Sequence, residues 1–253
     1  MKSKLLLSVI IVNFFISFSF AQPSDTDYIL GYGGTALFLG AELIFKDNLT
    51  PHKAKWSEPN TFDNFFRSNL KWDNANLQKA ALYSDILLKG IIIPSVFWSS
   101  YESGYKYSSY LLLQLQVLAG TGILTHASKF IFGRERPYSY FKTGGPGFPQ
   151  TNLSFFSGHS SFSYAVVTSS GYLLQKAHPA YSGLIWSSGM FLATATAYFR
   201  VASDRHYMSD ILTGMVIGSA VGYFIAKNQR EKFFKSKNKP DPDFQINFSL
   251  PLK

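Results

Sequence analysis

Apolar residues along this chain gather into six stretches almost free of charge: residues 28–45, 84–101, 107–127, 160–175, 183–199 and 211–226. Small residues are frequent inside them, as in Thr213, Gly214, Gly218, Ser219, Ala220 and Gly222. Runs of this length read as helices rather than strands. Several also exceed what a buried soluble helix needs and suit a hydrocarbon core that takes about 20 residues to cross. Small side chains let helices approach closely in lipid, where packing drives association. The pattern therefore predicts an all-α fold, a membrane-embedded helical bundle of about five to six helices.

The segments between these stretches are polar. Residues 46–83 contain Trp56, Asp63, Arg67, Lys71, Trp72 and Asp73, and the part from Thr61 onward suits an amphipathic helix. Residues 138–155 hold Gly144-Gly145-Pro146-Gly147 and Pro149, a loop signature. The tail 227–243 is a charge run, and Phe244, Ile246, Phe248, Leu250 and Leu252 then alternate like a short strand limited by Pro251. At the other end, Lys2 and Lys4 precede an apolar run from Leu5 to Ile16 and the small residues Ser19 and Ala21. That is the form of a cleaved signal peptide. The expected organisation is a signal peptide (1–21), an N-terminal apolar segment with a polar outer region (22–83), a catalytic bundle (84–226) and a basic tail (227–253).

Charge placement orients the bundle. Lys227, Arg230, Lys232, Lys235, Lys237 and Lys239 follow the last apolar helix, so the C-terminus is expected in the cytoplasm. Five alternating crossings then put residues 46–83, 127–160 and 199–211 on the outer face, that is, in the inner membrane of an exporting cell with its polar loops in the periplasm. With both its ends outside, 28–45 is expected to lie along the bundle rather than span it.

Composition narrows the function. Charged residues make up only 15% of the 253 and aromatics 17%, a charge fraction well under the usual quarter of a soluble domain. The absence of cysteine excludes disulfides and thiol catalysis. A net charge of +9 calls for anionic partners. The basic residues do not line one long polar element, so phospholipid headgroups and phosphate substrates fit better than nucleic acid.

Three clusters of polar residues fall at the outer helix ends. Lys129 is followed after six residues by Arg136-Pro137; Ser157-Gly158-His159 opens the stretch 160–175; and Arg200, His206 and Asp210 follow the stretch 183–199. Singly, each has a plain structural reading, as snorkelling cations, a helix cap and a surface pair. Together they fit one phosphate site. Phosphoryl transfer is catalysed mostly by positioning and by neutralising spread negative charge. Two guanidinium forks, Arg136 and Arg200, match that charge and Lys129 adds a point charge. The amides of Ser157 and Gly158 open a helix, a ready anion site. His206 and Asp210, four apart on one helix face, are expected to pair as nucleophile and orienter, leaving His159 as general acid. No cluster has metal-ligand spacing, so neither a metal nor a cofactor is expected. His52, His126 and His178 are left outside the constellation.

These residues, in this order and spacing, resemble the type 2 phosphatidic acid phosphatase superfamily, which includes lipid phosphate phosphatases, non-specific acid phosphatases and vanadium haloperoxidases. The resemblance covers roughly residues 84–226 and rests on nine positions: Lys129, Arg136, Pro137, Ser157, Gly158, His159, Arg200, His206 and Asp210. Each fixed position recurs by chance roughly one time in twenty, so nine in order are hard to assign to accident. The resemblance implies His206 as the phosphorylated nucleophile, Asp210 as its partner, and His159 as the acid that frees the alcohol and later activates water. It implies Lys129, Arg136, Ser157, Gly158 and Arg200 as the phosphate cradle. Phe156 and Phe199 stand where that family usually has Pro and Ser; the second departure removes a hydroxyl near the phosphate.

The function expected is hydrolysis of a phosphate ester, a lipid phosphate or isoprenoid pyrophosphate, with membrane lipids as surroundings. The alternatives are a soluble exported acid phosphatase, a vanadium haloperoxidase and a non-catalytic lipid-binding protein. Specificity is expected in 46–83 and 138–155.

Overall fold

A computed structural model describes residue 33 and residues 46–104 and 107–236, the last six without their side chains. The signal peptide, most of the stretch 28–45 and the strand-like tail lie outside the described residues.

Helix α1 (Thr61–Leu70) begins where Asn60 accepts the Asp63 amide at 2.8 Å, an N-cap that satisfies one of the orphan donors of the first turn. It is the amphipathic helix expected there. Helix α2 (Leu77–Asp85) continues through a widened π turn (Ile86–Ile92) into α3 (Ser95–Glu102). In that turn the Ile93 amide donates to the Leu88 carbonyl, five residues back, ahead of Pro94, which has no N–H to donate. The helical path therefore starts well before residue 84. Helix α4 (Tyr107–Phe132) runs five residues beyond the apolar stretch and carries Lys129 in its last turn. After it come the short α5 (Pro137–Tyr140), the loop up to Ser157, then α6 (Gly158–Ala177), α7 (Ser182–Ala202) and α8 (Met208–Ser236). No strand forms among the described residues; one isolated parallel bridge joins Trp56 to Arg134.

This is the expected all-α membrane bundle. Among the described residues three helices are long and apolar enough to cross a membrane: Asn74–Glu102, Tyr107–Phe132 and Met208–Arg230. With 20 and 21 residues, α6 and α7 are shorter than these, near the length of about 20 that a hydrocarbon core takes. Large apolar side chains point outward along these helices, Trp98 70% exposed and Val216 67%. A soluble fold would hide such surface; lipid accepts it.

The closest helix pair fixes the geometry of everything above it. Gly214, Gly218 and Gly222 form one face of α8, and a Cβ at these positions would stand 2.7 Å from the Ser157 carbonyl, 2.1 Å from that of Ser161 and 2.3 Å from that of Ala165. Only glycine lets the two backbones touch this way. Their contact brings the start of α6 against the start of α8, where the Ser157 amide donates to the Asp210 carbonyl at 3.1 Å.

Gly218→Ala is therefore expected to push α6 and α8 apart and destabilise the bundle by about 1–3 kcal/mol. Gly183→Ala, at a helical position with nothing within 4 Å of the new methyl, should leave the unfolding midpoint unchanged or raise it. Thermal unfolding of both variants in one detergent checks this; equal midpoints would refute the packing argument.

Candidate active site

All three polar clusters converge at one end of the bundle. Lys129 lies near the end of α4, and an ideal Cβ on Gly158 would sit 3.7 Å from its Nζ. Arg200 comes from the last turn of α7. His206 sits in the connection to α8, and Asp210 in that helix's first turn.

The His206–Asp210 pair forms, though not as an i, i+4 pair on a helix face. Helix α8 starts only at Met208, so His206 precedes it. Its imidazole is brought back because the Arg200 carbonyl accepts the amides of both Arg205 and His206, at 3.1 and 3.2 Å. The result is His206 Nδ1 at 3.4 Å from Asp210 Oδ2. The other ring nitrogen, Nε2, lies 3.0 Å from Arg136 Nη1. A guanidinium only donates, so Nε2 is an acceptor, and the neutral ring carries its proton on Nδ1, toward Asp210. The lone pair of Nε2 thus faces the cationic end of the site.

Arg136 is held rigidly. Its Nε donates to the Gln150 carbonyl at 2.8 Å, Nη1 to that of Arg205 at 2.9 Å and Nη2 to that of Leu153 at 3.1 Å. Arg200 is almost wholly buried, and its Nε has no hydrogen-bond partner among the described residues. Its ion contact among the described residues is distant, Asp85 at 3.9 Å. A buried guanidinium that leaves a donor unused is uncommon.

Ser157 differs from expectation. Its Oγ caps α6, accepting the Ser160 amide at 3.4 Å, but its own amide is already committed to the Asp210 carbonyl. As a helix entry, then, the sequence places Ser157 correctly, but its amide is not an anion donor. The amides of Gly158 and His159, first in the helix, have that place instead.

The sequence reading missed two residues. Arg134, fully buried, donates from Nη1 to Asp210 Oδ1 and from Nη2 to Asp63 Oδ2, each at 2.6 Å. Its guanidinium is sandwiched between the rings of Trp56 (3.8 Å) and Tyr207 (4.2 Å). Ser154 Oγ and the Tyr207 amide complete the Asp210 carboxylate at 2.6 and 3.0 Å. Asp85 Oδ1 lies 2.6 Å from His159 Nε2. One lies two residues before Arg136, beside Glu135, and the other at the head of an apolar stretch, and nothing in their local pattern announces these distant partners.

Phe199, at one of the two unusual positions, packs edge-on against Trp72 and Tyr83 at 5.7 and 5.4 Å. Beside the site a cavity of about 110 Å³ is lined by Asn74, Gln78, Tyr138, Thr143, Gly144 and Arg205, among others. It brings together 46–83 and 138–155, the two segments in which specificity was expected. Among the described residues no three or more His, Asp or Glu side chains gather as a metal site.

Comparison with known proteins follows this geometry. The family model of the PAP2 superfamily matches residues 110–234. Over that stretch the chain is similar to the PAP2 superfamily. Phospholipid phosphatase 2 of Mus musculus is 29% identical over 140 residues, 45% of this chain and 50% of its own. Lipid A 1-phosphatase of Porphyromonas gingivalis is 30% identical over 105 residues, covering 42% of this chain and 20% of its own. A putative phosphatidate phosphatase of Drosophila melanogaster is 36% identical over 96 residues, 36% of this chain and 25% of its own. The chain thus spans about half the length of the first of these relatives, or less of the others. Among solved structures, a transmembrane PAP2-type phosphatidylglycerolphosphate phosphatase from Bacillus subtilis aligns over 90% of this chain and 97% of its own, with 20% identity and a TM-score of 0.46. Arg136, His159, Arg200, His206 and Asp210 all fall inside the PAP2 match, whereas Asp63 and Asp85 fall outside it.

Burial holds the His206 imidazole well below its usual pKa, and the nearby Arg136, Arg200 and Lys129 charges push in the same direction. The sign is that of a base kept neutral. Lowering pH through the ordinary value of about 6.5 leaves the ring uncharged, and protonation comes only in stronger acid. In 15N-histidine NMR, with His206 assigned by its loss in His206→Asn, the Nδ1–H tautomer should persist below pH ~6.5. A doubly protonated ring there would contradict the geometry.

Arg134→Met should leave two buried carboxylates without their cation and cost about 3–5 kcal/mol. Thermal unfolding in detergent measures it; an unchanged midpoint would show that the Asp63–Arg134–Asp210 contact carries no stability.

Proposed function

We propose that this chain hydrolyses phosphate esters of membrane lipids, a lipid phosphate or an isoprenoid pyrophosphate, through a phosphohistidine on His206 and without a metal. The observation that carries the reading is the contact of His206 Nε2 with Arg136 Nη1 at 3.0 Å, with Asp210 behind Nδ1. It keeps the Nε2 lone pair unprotonated and turned toward a fixed guanidinium, and a bound phosphate that takes over the Arg136 donor would free that lone pair for in-line attack on phosphorus.

In this reading Arg136, Arg200, Lys129 and the amides at the start of α6 hold the equatorial oxygens. His206 Nε2 forms the P–N bond as the P–O bond to the leaving group breaks, and His159 protonates the departing oxygen. Asp210 stays ionised and stabilises the imidazolium at Nδ1–H. Water then attacks the phosphohistidine, His159 takes its proton, and the P–N bond breaks to release phosphate. Cationic side chains neutralise the charge that a metal would otherwise meet.

The outward-facing apolar helices favour a lipid substrate over a soluble one. The names of the relatives, a phospholipid phosphatase and a lipid A 1-phosphatase, point the same way. The reading includes a signal peptide over 1–21, a catalytic bundle over 84–226 topped by the segment 46–83, and an inner membrane with the site facing the periplasm, as the basic run from Lys227 to Lys239 suggests.

Purified protein should release inorganic phosphate from vesicles containing phosphatidic acid, phosphatidylglycerophosphate, an isoprenoid pyrophosphate or lipid A. Activity should survive excess EDTA and fall with orthovanadate, while His206→Ala removes both turnover and an acid-labile phosphoenzyme. Loss on chelation, restored by a divalent ion, would overturn the metal-free mechanism. Release from soluble phosphates alone, by protein extracted without detergent, would favour the soluble alternative.

A further inference from the structure

Two imidazoles at this site each meet a carboxylate, and only one of those carboxylates belongs to the motif. Asp210 serves His206. The second, Asp85, ends α2 and reaches across to the first turn of α6, where its Oδ1 lies 2.6 Å from His159 Nε2. It comes from outside the residues that the PAP2 model matches. It also keeps the company of cations: Lys89 one turn on at 3.4 Å and Arg200 at 3.9 Å. The His159 contact is the shortest of the three. With side chains 20% and 40% exposed, His159 and Asp85 line the open side of the site, whereas His206 and Asp210 are enclosed.

We propose that Asp85 is a positioning residue for His159, forming a second imidazole–carboxylate dyad that serves protonation of the leaving group; this rests on the phosphatase reading above. A carboxylate only accepts, so its hydrogen bond fixes the proton of His159 on Nε2. Nδ1 is then the nitrogen that exchanges a proton with substrate. In the first step the imidazolium gives its Nδ1 proton to the oxygen leaving phosphorus, as the P–O bond breaks and the P–N bond to His206 forms. The ring stays bound to Asp85 through Nε2–H. In the second step Nδ1 takes a proton from the attacking water, and the P–N bond breaks with its electrons returning to His206. Asp85 remains ionised in both steps. It keeps the ring oriented and stabilises its charged form, which the neighbouring Arg200 and Lys129 charges oppose.

This role predicts dependence on the leaving group. A good leaving group needs little protonation and a poor one needs much. Asp85→Asn should lower kcat/KM for an alkyl phosphate by roughly 10–100-fold, part of the 10²–10⁴ of general acid catalysis. For 4-nitrophenyl phosphate it should change kcat/KM by no more than about threefold, because phosphoryl transfer to His206 there hardly needs the acid. More of the variant should then stand as phosphoenzyme in the steady state, since water activation also uses His159. Asp85→Glu should restore part of the alkyl rate, and inhibition by orthovanadate should stay within about twofold in both variants, as expected if the phosphate cradle is untouched.

Equal losses on both substrates would overturn the assignment, as would a change in vanadate inhibition without leaving-group dependence, which would make Asp85 a partner of Arg200 instead. Phosphoenzyme formed by the variant from 4-nitrophenyl phosphate verifies its fold. A wild-type protein that forms none would bring down the phosphatase reading itself, and this assignment with it. A wild-type protein that does, beside an Asp85→Asn variant of unchanged leaving-group dependence, would refute Asp85 alone.

Discussion

The guanidinium of Arg134 ties together three parts of the chain that share no local pattern: α1 through Asp63, the loop after α4, and the start of α8 through Asp210. Two carboxylates around one guanidinium leave a net negative charge in a fully buried place, an arrangement that survives only if every lone pair is used. It nearly is. Ser209 donates its amide and hydroxyl to Asp63, and Ser154 and the Tyr207 amide donate to Asp210. The faces of the guanidinium rest on Trp56 and Tyr207, so its desolvation is met by ring quadrupoles as well as by charge. Without this cluster the Asp210 carboxylate would be free to rotate, and the imidazole it faces would lose its reference.

The second constraint is backbone contact. The glycine face of α8 lies directly on the carbonyls of α6, so the beginnings of these two helices are fixed to each other with little slack. Sites assembled from the ends of several helices suffer when any helix slides, because a displacement of about 1 Å can cost about a hundredfold in rate. Small-residue packing limits that sliding more effectively than interlocked flexible side chains would. A lower tier of buried polar contacts, Gln114 with Ser169 and Ser170 and Thr125 with Ser161, adds hydrogen bonds between α4 and α6 beneath the site.

The electrostatics of the site are uneven by design of the fold. Arg134 meets two carboxylates through its Nη nitrogens, though its Nε has no partner among the described residues, and Arg67 makes a two-pronged contact with Asp204 at 2.7 and 2.8 Å. Arg136 is matched only by neutral carbonyls and a neutral imidazole, and Arg200 keeps an unused donor. Two guanidiniums thus have their anions within the chain, while around Arg136 and Arg200 the potential stays positive. Burial first, and then the same potential, keep the His206 ring uncharged.

By itself the sequence determined the helical class, the apolar stretches and the three polar clusters at the helix ends, because these depend on local properties. Uninterrupted apolar length demands a helix, a Ser-Gly opening demands a helix start, and cations spaced around two histidines suit one kind of ligand. It also placed the amphipathic helix at Thr61 and most of the loop at 138–155, whose first three residues instead belong to α5. Tertiary structure alone decided which charges meet. Asp63 and Arg134 lie 71 residues apart, Asp85 and His159 74, and periodicity within a helix carries no record of a partner on another. The fold also moved His206 off the helix and committed the Ser157 amide to Asp210, since backbone groups in a connection go to whichever carbonyl the packing brings near. Short motifs survive in the chain as text; the carboxylates that hold them in place are chosen only when the helices come together.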